Sequence, residues 1–290
     1  MGTLSGKIDF ALVISAAGAN VNGDPLNGNR PREDFDGFGE ISDVCIKRKI
    51  RNRLQDMGEK IFVQSNDRAD DGCKSLKERA ENNEEIKALS KGKNTNPDDY
   101  ARVACEQWMD VRSFGQVFAF KGGEKKGDGV SVGIRGPVSI CMAKSVSPID
   151  IVSMQITKSV NSEGEGGKSS DTMGMKHFVD FGVYVIKGSI NCQLAEKTRF
   201  SDEDAEKIKE ALKTLFENDC SAARPDGSMQ VCKLIWWNHK DKTPKYSSAK
   251  VHGSLKIEQK KECKKPKAVE DYNIFVEELD GLKPEIYDME

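Results

Sequence analysis

Between Lys7 and Arg53 the sequence dictates a strand, a turn and a helix in that order. Ile8, Phe10, Leu12 and Ile14 alternate along Lys7–Ser15, the period-two pattern of a half-buried strand. The run ends in NVNGDPLNGNRPR (Asn20–Arg32), whose glycines, asparagines and prolines reverse a chain rather than extend it. Ser42 or Asp43 can then cap a helix whose apolar residues Ile46, Ile50, Leu54 and Met57 recur by four, four and three. Five cations fall in the seven residues Lys47 to Arg53, with Lys47 and Arg51 on one side of that stripe and Lys49 and Arg53 on the other. No acid is interleaved within the run at the spacing that pairs charges along a helix. Arg30 and Arg32 add charge at the helix entrance. Glycine-rich amides beside clustered cations make a seat for a polyanion, with phosphates the natural partner. A plain chain reversal followed by a solvated helix face explains the same residues and stays open.

The net charge of -2, from 45 basic and 47 acidic residues, excludes a globally basic nucleic-acid binder, so an anion site must be local. Eight cysteines without a C-x-x-C pair, and no secretory leader, point to reduced thiols in the cytoplasm. No apolar run approaches the roughly 20 residues of a membrane span, so no membrane partner is expected.

Gln64 to Asp99 is dominated by Lys, Glu, Asn and Asp, which predicts an exposed insertion, helical around Ser75–Leu89, that adds little core. Apolar pattern resumes over Trp108–Phe120, followed by a Gly/Lys turn and a strand over Val130–Ala143. A Gly/Ser/Glu loop, Ser159–Ser170, precedes a long strand over Phe178–Leu194. Ser201 then caps a helix over Ser201–Phe216 with Ala205, Ile208, Leu212 and Leu215 on one face, and Met229–Trp237 is a further strand. Lysines between Lys256 and Lys267 give way to an acidic end. The core order, strand, helix, strand, strand, helix, strand, is ferredoxin-like, so the fold class is α+β. RNA-recognition domains share that order and meet single-stranded RNA on the open sheet face.

Asn20, Asn22 and Asp24 alternate like calcium ligands, but the twelfth position is Pro31 where a bidentate acid is needed. SEGEGGKS (Ser162–Ser169) carries GKS but has Ser162 where a phosphate-binding loop needs its first glycine. DVRSFGQ offers Arg112, Ser113, Phe114 and Gln116, a mixture able to meet phosphate and base, or simply to pack. DTMGMKHFV places Met173, Met175, Lys176 and His177 at the mouth of a strand, as an apolar wedge beside cations or as gap-filling side chains. The histidines 177, 239 and 252 have no metal-ligand spacing, and no nucleophile or metalloenzyme motif occurs. No catalytic residue, metal or cofactor is expected.

Taken in order, FALVISAAGANVNGDPLNGNRPR, SDVCIKRKIRNRL, DVRSFGQVFAF, VGIRGPVSI, DTMGMKHFVDFGVYV and the FSDEDAEKIKEAL helix resemble the RAMP-superfamily backbone subunit of the CRISPR Cascade complex, in its type I-C form. The resemblance covers most of the chain. It implies a single domain: a modified ferredoxin-like (RRM-like) palm with core parts about 7–57, 108–157 and 178–238. It further implies a finger or web insertion about 64–107, a thumb-like loop about 158–177, and a charged C-terminal region 256–290. Such a protein binds CRISPR RNA without cutting it and lines up head to tail with copies of itself. It joins other Cascade subunits, and presents the spacer to target DNA. The RNA-contacting residues that the resemblance implies are Arg30, Arg32, Lys47, Arg48, Arg51 and Arg53; the chemistry of the turn and of the two motifs above adds Asn20, Asn22, Arg112, Ser113, Phe114, Gln116, Met173, Lys176 and His177 as candidates. In related complexes with RNA targets a loop aspartate cuts RNA. Asp24, Asp34 and Asp36 are the candidates here, and none is assigned. A RAMP-family endoribonuclease that processes CRISPR RNA is the alternative.

Overall fold

The computed structural model describes residues 2–90, 96–121, 129–159 and 173–289. The loop Ser162–Ser169 and most of the thumb-like insertion lie outside the described residues. Strand β1 (Ile8–Ala19) leads into the small hairpin β2 (Gly23–Asp24) and β3 (Arg30–Pro31), then β4 (Phe38–Ile41) and α1 (Asp43–Asp56). Helices α2 (Leu76–Glu81), α3 (Glu84–Ser90), α4 (Pro97–Gln107) and α5 (Met109–Phe114) follow. Next come β5 (Gly115–Lys121), β6 (Gly129–Arg135), β7 (Val138–Ile140), β8 (Ala143–Pro148) and β9 (Ile151–Thr157). After β10 (Met173–Ile190) the chain forms α6 (Cys192–Thr198), α7 (Asp202–Lys213) and β11 (Met229–Asn238). It continues through α8 (Ser248–Gly253), β12 (Leu255–Gln259), β13 (Tyr272–Val276) and β14 (Glu285–Asp288).

These elements form a mixed α/β protein on a large antiparallel sheet in the order β14-β11-β1-β10-β8-β4, with β7 and β9 also pairing with β10. Strand β1 lies at its centre, Ile8 facing Ile190 on one side and Asn238 on the other. Because side chains alternate, Ile8, Phe10, Leu12 and Ile14 enter one core with Ile46, Ile50 and Leu54 of α1 and Ile208 and Leu212 of α7. Ala11 and Val13 enter a separate core on the opposite face with Ile235, Trp237, Val251 and Tyr272. The half-buried expectation for β1 is therefore corrected: the C-terminal elements cover its second face, and Ile8 to Ala16 are all buried.

The helix signals hold. Ser42 caps α1, its Oγ accepting the Cys45 N–H at 3.3 Å. Ser201 and Asp204 form a reciprocal capping box on α7. Strand lengths differ from expectation for local reasons. The run Val130–Ala143 is broken between β6 and β7, where a side chain at Gly136 would lie 2.3 Å from the Ser113 carbonyl oxygen and Pro137 has no N–H for a ladder. Strand β10 stops at Ile190 because Asn191 caps α6, accepting the Leu194 N–H at 2.9 Å.

The charged insertion is also more than solvated surface. Ile86, Tyr100, Val103 and Ala104 are buried in a core completed by Phe62, Trp108, Phe118 and Val132. Phe62 packs 4.7 Å from Trp108 and 4.9 Å from Phe118, centroid to centroid, and Tyr100 meets Phe118 edge-on at 5.1 Å. Aromatic payload lets so few apolar residues close a cluster.

Candidate nucleic-acid interface

The turn after β1 is a tight hairpin loop. Asp24 caps it, accepting the Leu26 N–H through its side chain at 3.2 Å and the Asn29 N–H through its carbonyl at 2.8 Å. Gly28 and Asn29 both take the left-handed conformation, with φ of 58° and 60°, which Gly and Asn tolerate. This closure aims Arg30 at the arm formed by β9 and the first half of β10, where Arg30 Nη1 donates to Ser153 Oγ at 2.7 Å. The same oxygen lies 2.9 Å from His177 Nδ1. His177 Nε2 has no partner among the described residues.

Cross-strand pairing sorts the arm into two faces. Ser153 opposes His177, Gln155 opposes Met175 and Thr157 opposes Met173 on one face. Met154 opposes Lys176 and Ile156 opposes Gly174 on the other. Met154, Ile156, Met173 and Met175 are all about half exposed or more, so the arm carries apolar side chains into solvent on both faces. Lys176 forms no ion pair among the described residues. Ser153, Met154 and Ile156 escaped the sequence reading. The alternation in IVSMQIT was visible, but its partner strand begins only at Met173, beyond a long polar stretch of sequence.

The helix cations are placed differently from expectation, because each has a protein partner. Lys49 is 5% exposed, pairs with Asp219, and lies over the Phe216 ring at 5.5 Å. Burial pushes its ammonium pKa down, with Asp219 opposing the shift. Arg51 Nε donates to Asp110 Oδ2 at 2.9 Å, and its guanidinium stacks on Phe114 at 5.0 Å. Arg53 donates to Thr214 Oγ1 at 2.7 Å and pairs with Glu217. Arg48 donates to the Val63 carbonyl at 2.6 Å, and burial lowers its pKa. Lys47 pairs at 2.9 Å with Asp43, one turn back.

Magnitudes separate these contacts. Partly exposed pairs one helical turn apart, such as Lys47–Asp43, are worth about 0.3–0.5 kcal/mol, and a phosphate can displace them. Arg32, 39% exposed and 3.3 Å from Asp24, falls in the same class. Breaking a buried pair strands a charge at about 3–5 kcal/mol. That protects Arg51–Asp110, where the carboxylate is fully buried and also accepts the Phe62 and Val63 N–H groups at 2.7 and 3.0 Å. It also protects Arg112, whose guanidinium grips both Asp204 oxygens at 2.8–3.1 Å.

The remaining candidates are mostly part of the frame. Asn22 Oδ1 accepts from the Ser42 N–H and hydroxyl at 2.8 and 2.9 Å, which ties the turn to the start of α1. Asn20 is buried, with Nδ2 donating to the Asn29 carbonyl at 2.7 Å. Ser113 is buried and donates to the Met109 carbonyl at 2.7 Å, Phe114 packs against the main core, and Gln116 donates to the Val117 carbonyl at 3.0 Å. The structure thus brings Arg30, Met173, Lys176 and His177 together on the arm, and keeps Asn20, Asn22, Ser113 and Arg112 apart from it. Of the loop acids, Asp24 meets Arg32 and Asp34 pairs with Lys144 and accepts the Phe38 N–H at 2.8 Å. Asp36 donates its backbone N–H to Asp34 Oδ1 at 3.0 Å.

Away from the arm, the other two histidines converge on Asp9. His239 Nε2 lies 2.8 Å from the Asp9 carboxylate, His252 Nε2 4.0 Å away, and Lys7 Nζ 3.2 Å away. Asp9 and His239 are fully buried, so the cluster is closed to a substrate. No group of three or more His, Cys, Asp or Glu among the described residues is arranged to hold a metal ion. No helix among the described residues is long and apolar enough to cross a membrane.

The family model described as CRISPR-associated protein Cas7 matches residues 6–277. A curated relative, CRISPR-associated protein Cas7 of Haloferax volcanii, is 28% identical over 221 residues, 71% of this chain and 63% of that protein. The matched part thus spans less than two thirds of that relative's length. A chain of a CRISPR RNA-guided surveillance complex, pre-nicking, aligns over 80% of this chain and 75% of its own at 14% identity and TM-score 0.47. A chain of another CRISPR RNA-guided surveillance complex aligns over 80% and 68% at 14% identity and TM-score 0.43.

Proposed function

The chain belongs to the CRISPR-associated Cas7 family, and from that premise we propose that it is a non-catalytic backbone subunit that holds CRISPR RNA in a type I-C Cascade surveillance complex in the cytoplasm. Several copies follow one guide RNA head to tail, beside other Cascade subunits, and present its spacer for pairing with invading DNA. The sheet order β11-β1-β10-β8, with α1 and α7 on one face, supports reading the core as a ferredoxin-like palm. The β9–β10 arm is the lower part of the thumb.

The observation that carries the proposal is the junction of Arg30, Ser153 and His177 at the base of that arm. An RNA phosphate can take over the Arg30 guanidinium, since it adds a full opposite charge and a bidentate geometry that the Ser153 hydroxyl does not offer. The His177 ring supplies a further donor, and Met173 and Met175, on the same face, meet the bases. Arg32 and Lys47 complete the phosphate track, because their present partners are weak. Arg48, Arg51, Arg53, Arg112, Asn20 and Asn22 act one step back, by holding the turn and α1 in place.

Arg30→Ala combined with His177→Ala tests this. Neither side chain is buried, so the thermal midpoint should not move while the RNA that co-purifies falls several-fold. Undiminished RNA in a folded double variant would remove the arm from the RNA site. Cleavage of repeat RNA that survives chelation and vanishes with one His or Asp would replace the scaffold with the endoribonuclease reading.

A further inference from the structure

Positive charge without protein partners is concentrated on the loop between β12 and β13 rather than on α1. Lys260, Lys261, Lys264, Lys265 and Lys267 fall within eight residues that include one acid, Glu262. Lys261, Lys264 and Lys267 are exposed and Lys260 is half-buried, and none of these four forms an ion pair among the described residues. Lys265 is the anchor, its Nζ 2.8 Å from the Asp150 carboxylate and 3.7 Å from that of Asp180. Asp271 fixes the loop from its other end. Its carboxylate accepts the N–H groups of Lys267 and Ala268 at 2.8 and 3.0 Å, and its carbonyl accepts the Lys260 N–H at 2.8 Å. The Gln259 amide donates to the Cys263 carbonyl at 2.7 Å. A loop held in this way offers its lysines without the ordering cost of a free tail.

Its position gives the charge a meaning. Asp150 and Asp180 stand one step beyond the cross-strand pair Ile151 and Val179, and the Asp180 N–H donates to the Asp150 carbonyl at 2.9 Å. Alternation therefore puts them on the face of the arm that bears Lys176, Met154 and Ile156, opposite the face of Ser153 and His177. Arg30 reaches one face of the arm's base, and Lys265 anchors the lysine loop on the other.

We infer that the loop 260–267, with Lys176, is a second polynucleotide site that takes the phosphate backbone of a single strand other than the guide RNA. The arm then stands between two strands. Lysine is a point charge that needs no fixed phosphate geometry, and the exposed Met154 and Ile156 beside Lys176 suit bases next to those phosphates. This assignment rests on reading the opposite face as the guide-RNA site.

The test is the quadruple variant K260Q/K261Q/K264Q/K267Q, which keeps Lys265 and the bonds to Asp271, all of them made by backbone. Wild type and variant, each with the RNA it carries, are titrated with a labelled single-stranded oligodeoxynucleotide across a salt series. The variant should retain its RNA and thermal midpoint, bind the oligonucleotide roughly tenfold more weakly, and show a log–log salt slope reduced by about 0.7 per lost phosphate contact. If the quadruple change lowers the midpoint, K261Q/K264Q carries the comparison, since both side chains are exposed. Unchanged affinity and slope would overturn the inference. Loss of co-purifying RNA would assign the loop to the guide strand instead, and competition by polyglutamate as effective as by DNA would assign it to an acidic polypeptide. A wild type that carries no RNA refutes the guide-binding proposal, while the DNA titration still decides the lysine loop.

Discussion

Asp110→Ala removes a carboxylate that is fully buried and accepts three hydrogen bonds, from Arg51 and from the backbone of Phe62 and Val63. Arg51 is then left with a nearly buried, uncompensated charge, at about 3–5 kcal/mol. Each amide that loses its acceptor adds about 1–3 kcal/mol. These losses share one network and overlap, so about 4 kcal/mol is the working figure. At roughly 2–4 °C per kcal/mol for a chain of this size, thermal unfolding of nuclease-treated protein should drop by about 8–16 °C. Lys47→Ala, which breaks a partly exposed pair on the same helix, should lower it by no more than about 2 °C. If the two variants unfold within about 2 °C of each other, the helix cations are not the frame described here, and the phosphate track must be extended back onto α1.

Phe118→Ala empties the centre of the second core, where four aromatic rings meet it, and should destabilise the protein by about 3–5 kcal/mol in urea unfolding. A loss below about 1 kcal/mol would return the insertion to solvated surface. His252 has its pKa lowered by burial, against the Gly188 carbonyl that accepts from Nε2 at 3.0 Å. The unfolded chain then takes the proton first, so stability is complete above about pH 6.5 and falls as pH drops below it. Urea midpoints at pH 7.5 and 5.5 should differ less in His252→Gln than in wild type, and an equal difference would remove His252 as a source.

What the sequence displayed well was local. The β1 alternation, the α1 stripe and the Ser201 cap depend on neighbours within a turn or a pleat, and all three appear in the structure. What it concealed was set by distant partners. Asp110 lies 59 residues from Arg51 and Asp219 lies 170 from Lys49, so no helix-spacing rule could find the acids that occupy the basic run. The second core was hidden likewise, because Phe62, Tyr100, Trp108 and Phe118 come from separate stretches of the chain and meet only in space. At the arm, Met173, Lys176 and His177 were legible as a wedge beside cations. Ser153 was not, since its role comes from register with His177, 24 residues further along the sequence.

The most direct measurement is the nucleic acid that co-purifies with the protein from cells expressing a CRISPR array, read by absorbance ratio, length and sequence. The account predicts array-derived RNA of uniform length, retained by wild type and by K260Q/K261Q/K264Q/K267Q, and lost from the Arg30→Ala and His177→Ala double variant. Protein that is folded and carries no RNA, or RNA unrelated to the array, would contradict it.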